Sequence, residues 1–248
     1  DLSLAALAIL LWVLFALINS TNNIEQITYK ILPEKPVINI AIASVLALVI
    51  LICGSSYTTA HSACQQGDKS IQEFAASKDG QEQNEKLTRA EQNYTKAVSL
   101  DSHSANYHAN LAQVYAIRFN QLRSANQAVA NNYYQKALNE VEKAERLRPN
   151  DIRIRNSLLN TCSKLGSVEG MVRQAEGSLK ANPNDINAYN GLAKVLWMGT
   201  ENYLKAGKNK DAGKLAEKLV SVGKQIVIQQ QNTNADKPWQ GKQLSLNA

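Results

Sequence analysis

The sequence predicts an all-α protein: two transmembrane helices followed by an α-solenoid of antiparallel helix pairs. Three observations carry this. Pro149-Asn150-Asp151-Ile152 recurs as Pro183-Asn184-Asp185-Ile186, 34 positions later, and a fixed period of this size is the signature of stacked helix pairs. Leu2 to Ile18 and Val37 to Cys53 are apolar runs without a charged residue. From Ser70 to Ile228 the pattern is helical almost throughout, and no segment sustains strand-like alternation.

Each apolar run has 17 residues, the short end of what crosses a hydrocarbon core of ~30 Å at ~1.5 Å per residue. Residues 1–18 are therefore expected to form one membrane helix and 37–57 a second, joined by a polar connector over 19–36. Pro33 and Pro36 stop any helix running between them. Asp1 stands directly at the first run with no basic residues before it, so this is not a secretory signal peptide. The chain reads as the carboxy-terminal part of a longer membrane protein. Leu51-Ile52-Cys53-Gly54 is not a lipoprotein cleavage site, because isoleucine before the cysteine is too bulky and the segment is internal. Gly54-Ser55-Ser56 opens a small-residue, Gln-rich stretch to about Gly67, and the repeats occupy 70–230. The polar tail 231–248, with Pro238 and Trp239, is expected to be disordered.

The repeats have small residues where paired helices cross and large apolar ones beside them. Second helices carry Ala90, Tyr94 and Ala97, then Ala137, Val141 and Ala144, then Met171, Ala175 and Ser178, and finally Ala212, Ala216 and Leu219. First helices are expected over Ala105 to Ile117, Ile152 to Leu165 and Ile186 to Trp197, with Leu111, Leu158 and Leu192 inward. These combined offsets resemble the tetratricopeptide (TPR) repeat, a 34-residue helix-turn-helix unit. Two departures stretch the array. The hairpin holding Arg118 to Ala130 carries an insertion of 13, and the Trp197–Lys210 region is longer by about two turns. Longer helices forming a taller hairpin, with 120–147 helix-like, accommodate the first.

Composition narrows the chemistry. Net charge is +6, and beyond residue 68 basic residues outnumber acidic ones by eight. Lys and Glu are interspersed as on a solvated helical array, with no basic-aromatic patch of the nucleic-acid type. Cys53, Cys64 and Cys162 form no CxxC pair, and His61, His103 and His108 lack zinc spacing. Cys162 is expected as a small core residue. There is no Gly-rich phosphate loop, G-x-S-x-G or paired carboxylate site, so no catalytic residue, metal or cofactor is assigned. The histidines are expected to be exposed and structural, and Asp101 and Asp151 to serve helix ends.

The surface of interest is the concave face, lined by first helices. The register points Asn106, Ala109 and Gln113 into it from one unit; Arg153, Asn156, Asn160 and Lys164 from the next; and Asn187, Asn190 and Lys194 from the third. Asn presents donors and acceptors, and Lys and Arg give charge-assisted bonds to a carboxylate or phosphate. A peptide or protein partner is expected there, with a glycan acceptor as the rival ligand because Asn also suits sugar hydroxyls.

Asp1-Leu2-Ser3-Leu4-Ala5-Ala6, leading into Leu10-Leu11-Trp12, resembles the last membrane helix of the bacterial O-antigen ligase/polymerase-like superfamily. One branch of that family continues with a connector, a further membrane helix and TPR repeats, the order found here. The resemblance implies transfer of glycans from a lipid carrier in cell-surface polysaccharide biosynthesis, with the repeats docking a partner or acceptor outside the cytoplasmic membrane. The family's catalytic residues lie upstream of this segment, so none is carried over. Lys30 and Lys35 in the connector, against no Lys or Arg between Cys53 and Lys69, agree with that topology. The alternative is a non-enzymatic, membrane-tethered TPR scaffold.

Overall fold

The computed structural model describes residues 36–234, with side chains from Gly54 to Gln231 together with Val45 and Val49. Eight helices follow one another within these residues: α1 Pro36–Ala76, α2 Gly80–Leu100, α3 Ala105–Leu122, α4 Gln127–Leu147, α5 Ile152–Leu165, α6 Val168–Ala181, α7 Ile186–Lys205 and α8 Asn209–Asn234. The chain divides into two units, residues 1–62 and 63–248. The second holds the repeats. Loops of two to four residues join packed neighbours there, which makes consecutive helices antiparallel.

The punctuation is local and legible. Asp151 and Asp185, the aspartates of the repeated motif, cap α5 and α7 at nearly the same backbone angles, φ −83° ψ 108° and φ −85° ψ 108°. Each carboxylate accepts from the backbone N–H two residues on, at 2.9 Å in both cases. The sequence echo is a geometric echo. Asp79 caps α2 in the same way, and Asn126 and Ser167 cap α4 and α6 by accepting from the backbone N–H three residues on. Gly166 ends α5 at φ 68°, a left-handed position that a side chain would strain, and Gly207 ends α7 at φ 70°.

The crossing residues behave as the register requires. Ala90, Tyr94, Ala97, Ala137, Val141, Ala144, Met171, Ala175 and Ala212 are all buried, whereas Ser178, Ala216 and Leu219 are half-buried. One core cluster runs from Ala105 on α3 through Leu158 and Cys162 on α5 to Leu196 on α7 and Val222 on α8. A satellite forms around Ala116, Ala137 and Leu165.

Several expectations are corrected. The stretch from Gly54 to Gly67, read from the sequence only as small-residue and Gln-rich, belongs to one helix with the residues on either side of it, in which Thr58 and Thr59 donate their hydroxyls to the carbonyls of Gly54 and Ser55. The end of α1 is thereby the first helix of the first pair: Tyr94 donates to Asp68 at 2.6 Å, Lys86 pairs with Glu73 at 2.9 Å, and a Cβ at Gly67 would stand 2.6 Å from the Tyr94 ring. The segment 120–147 is interrupted at residues 123–126, where Asn126 caps a new helix. The last helix runs to Asn234, past the boundary placed at 230.

The apolar run 1–18, the connector up to residue 35 and the tail from 235 lie outside the described residues, as do the side chains of 36–53 other than Val45 and Val49. Among the described residues no helix is long and apolar enough to cross a membrane.

Candidate functional site

Helical periodicity turns the assigned residues into stripes. On α5 the assigned face is Arg153, Asn156, Asn160 and Lys164, opposite inward Ile154, Leu158 and Leu165. The first three are exposed, Arg153 with 94% of its side chain free and 3.8 Å from Asp151. Lys164 is half-buried without a carboxylate partner among the described residues, and burial lowers its pKa. On α7, Asn187, Asn190 and Lys194 are exposed. On α3, which packs directly on α5, Asn106 is exposed and Gln113 half-buried. Ala109 does not face the groove: it is buried in the core, where a methyl fits beside Ala105 and Ala112.

The side chains of Asn106, Gln113, Asn156, Asn160, Asn187, Asn190, Lys164 and Lys194 make no hydrogen bond or ion pair among the described residues. The α7 stripe continues one turn beyond Lys194 to Trp197, 58% exposed. Sequence reasoning had placed Trp197 at the end of a helix, although its spacing from Asn187, Asn190 and Lys194 already put it on their face.

Two clefts lie elsewhere. A cleft of about 630 Å³ is lined by Thr88, Glu91 and Thr95 of α2, Arg118 of α3 and Tyr133 of α4. Another of about 580 Å³ is lined by Tyr134, Asn139 and Glu142 of α4 and Glu169 and Arg173 of α6. Both fall between successive second helices, and neither contains a residue assigned from the sequence. In the first, Arg118 Nη2 donates to Thr88 Oγ1 at 2.5 Å and Nη1 to Asn84, while Nε, 3.5 Å from Glu91, has no hydrogen-bond partner. Tyr115 and Tyr133 meet with centroids 5.8 Å apart, and Lys136 lies over both rings.

Two buried polar brackets were not foreseen. His108, expected on the surface, is only 3% exposed. Its Nδ1 meets Glu140, and its Nε2 meets the Ser102 carbonyl at 3.0 Å. The hydrogen bond to Glu140 raises its pKa against the opposing effect of burial. Burial works against the Glu140 carboxylate, but hydrogen bonds from His108 and Lys143 outweigh it and hold its pKa low. The second bracket joins three helices: Arg155 Nε donates to the Pro149 carbonyl at 2.6 Å and Nη1 to Gln174 at 3.2 Å, and Gln174 donates to Glu145 at 2.9 Å. The signal for both was positional, since His108 and Arg155 sit at inward positions of their stripes. Neither bracket lines either of these clefts, and what both do is fasten helices.

Cys64 and Cys162 are buried free thiols, and among the described residues no cluster of His, Cys, Asp and Glu could hold a metal ion. The arrangement therefore defines a class: an all-α solenoid of TPR-like helix pairs presenting unengaged polar stripes.

No family model matches the chain, and no curated protein matches it. Among solved structures it is similar to the first TPR of Spaghetti (RPAP3) bound to the HSP90 peptide SRMEEVD, at 18% identity over 56% of this chain and 94% of that one, TM-score 0.38. It is also similar to MamA, at 15% identity over 67% and 79% with TM-score 0.38, and to MamA MSR-1 C2, at 11% over 71% and 97% with TM-score 0.34.

Proposed function

We propose that this chain is a membrane-tethered docking scaffold that holds a peptide or protein segment along the first-helix face of its solenoid. The observation that carries it is a division of labour among polar side chains. Those facing inward, His108, Arg118, Arg155 and Gln174, are consumed by contacts within the chain. Those on the first-helix stripes of three successive units, Arg153 beside Asp151 excepted, make no hydrogen bond or ion pair among the described residues. Cations at Arg153, Lys164 and Lys194 suit a carboxylate, and the asparagines suit a peptide backbone.

The tether rests on the apolar runs before residue 54. The segment order supports a finer reading: the end of an O-antigen ligase-like protein, with the solenoid outside the cytoplasmic membrane beside the glycan-transfer step. Exposed Trp197 beside Asn190 and Lys194 favours a second occupant, a glycan acceptor whose sugar ring stacks on the indole.

Fluorescence anisotropy on the full chain in detergent tests the occupant, using a set of labelled peptides with free or amidated C-termini and matched oligosaccharides. Docking of a peptide carboxylate predicts binding that amidation weakens and that R153A/N156A/K194A abolishes, with oligosaccharide binding absent. Oligosaccharide binding lost in Trp197→Ala would select the glycan reading. Binding unchanged in the triple variant would remove the face altogether.

A further inference from the structure

The last helix has a second apolar stripe that the core does not use. The inward residues of α8 are Ala212, Leu215, Leu219, Val222 and Ile226, which pack in the core or contribute to it. Shifted by one residue, at the same spacing, stand Gly213, Ala216, Val220, Gly223 and Val227. This second stripe is turned about 100° from the first. Val220 is 60% exposed and Val227 52%, and a Cβ built on Gly213 or Gly223 would meet nothing within 4 Å.

The matching positions one repeat earlier show what such a stripe does. Aligning Met171 and Ala175 of α6 with Ala212 and Ala216 sets Val172 against Gly213 and Leu179 against Val220. Val172 and Leu179 belong to the core, and α6 packs against α7, the first helix of the next pair. A solenoid is stabilised by nearest-neighbour contacts, and its terminal units ordinarily show a polar outer face. The face on α8 is a helix-docking face with no described helix on it.

We infer that a second copy of this chain covers it, α8 against α8 in antiparallel pairing about a two-fold axis at Val220. Size complementarity selects this register. With Val220 on the axis, Gly213 of each copy lies opposite Val227 of the other, and Ala216 opposite the Gly223–Lys224 turn, so small positions receive large ones. Charge complementarity selects the direction. Glu217 and Lys224 lie on the same flank of the stripe, and same-flank residues face each other only in an antiparallel pair. Each Glu217 then comes within about one residue rise of the partner's Lys224 level. Both side chains are exposed and have no ion-pair partner among the described residues, whereas Lys214 pairs with Asp211 and Lys218 with Glu176. A two-fold contact repeats every such pairing twice, so one face serves both copies.

Sedimentation velocity of the full chain in detergent, over a hundred-fold concentration range, tests this with E217K, K224E and the double swap. The expected result is a concentration-dependent dimer in the wild type, at least ten-fold weaker in each single swap and restored in the double. Circular dichroism checks that the variants keep their helices. Val220→Cys in a Cys53→Ser background is expected to form a disulfide dimer under mild oxidant, and Ser221→Cys, turned off the stripe, is not. A wild type that stays monomeric, or four proteins with the same association, would overturn the pairing. So would a chain truncated after Asn234 that dimerises while the full chain does not, since residues 235–248 would then be the cover.

Discussion

The α5–α6 pair and the α3–α4 pair are two solutions to the same crossing. In α5–α6 both helices have 14 residues, and the turn is Gly166-Ser167. In α3–α4 the helices have 18 and 21, and the turn is residues 123–126. Four extra residues in one helix, seven in the other and two in the turn account for all thirteen inserted positions. Yet Ala112 and Ala137 are as buried as Leu158 and Met171. The insertion falls beyond the crossing, so it makes the hairpin taller without disturbing the neighbours. The two pairs also differ in fastening. The short pair is bracketed by the Arg155–Gln174–Glu145 network, and the tall one by His108–Glu140 at its base and aromatic contacts higher up, Tyr115–Tyr133 and Phe119–Tyr134. The lesson is that repeat period follows the crossing residues, whereas helix length beyond them is free to vary.

Removing the short pair's bracket should have the largest effect. Arg155→Ala leaves Gln174 and Glu145 facing a void, and about 3–5 kcal/mol of stability should be lost in urea unfolding. A loss below about 1 kcal/mol would mean that the bracket does not hold the short pair. In the tall pair, His108→Gln should cost about 1–3 kcal/mol, with a pH signature. The pKa of His108 is raised from 6.5, so its contribution is fully present below that value and fades as pH climbs through the higher folded value. The pKa of Glu140 is lowered from 4.5, so its contribution is present above that value and is lost on further acidification. Wild-type melting temperature should therefore decline above pH 6.5 more steeply than that of His108→Gln.

A smaller pair of effects probes what the two motif copies share. Asp151→Ala and Asp185→Ala should each lose about 1 kcal/mol, Asp151 slightly more, because the two caps share the 2.9 Å bond to the N–H two residues on while Asp151 also accepts from Ile154 at 3.3 Å. Losses differing by more than two-fold would show that the repeated turn does not act locally. Smallest of all, Lys136→Ala should weaken the upper part of the tall hairpin by about 0.5–1 kcal/mol. Hydrogen exchange should confine that change to α3 and α4.

How much of this was legible follows from where the information resides. The period, the caps at Asp151 and Asp185, the crossing alanines and the bounds of α5 are written locally, in turn chemistry and 3.6-residue spacing. The outward placement of Arg153, Asn156 and Asn160 on α5 and of Asn187, Asn190 and Lys194 on α7 was legible for the same reason. What was hidden required a partner from elsewhere in the chain. A histidine at an inward position reads as exposed until Glu140, 32 residues away, supplies its counter-charge. Arg118 and Arg155 are likewise held by distant partners, Asn84 and Thr88 for the one and Gln174 for the other. The helix through Gly54-Ser55-Ser56 to Gly67 was not legible because small polar residues have weak helix preference; within the helix the carbonyls of Gly54 and Ser55 also accept the hydroxyls of Thr58 and Thr59. The clefts between second helices escaped notice because a gap is a property of three helices together.

The two buried thiols have a use the chain does not intend. Burial pushes both Cys64 and Cys162 up to about 11, so neither reacts while its surroundings stay closed. Cys64 lies among Asp68, Tyr94 and Asn110 at one end of the array, and Cys162 beneath Gly170 in the short pair. Their labelling rates are thus two clocks, one reporting how often the first pair opens and the other how often the third does. In an array held by nearest neighbours these need not agree, and their ratio would measure how far an opening at one end travels before it dies out.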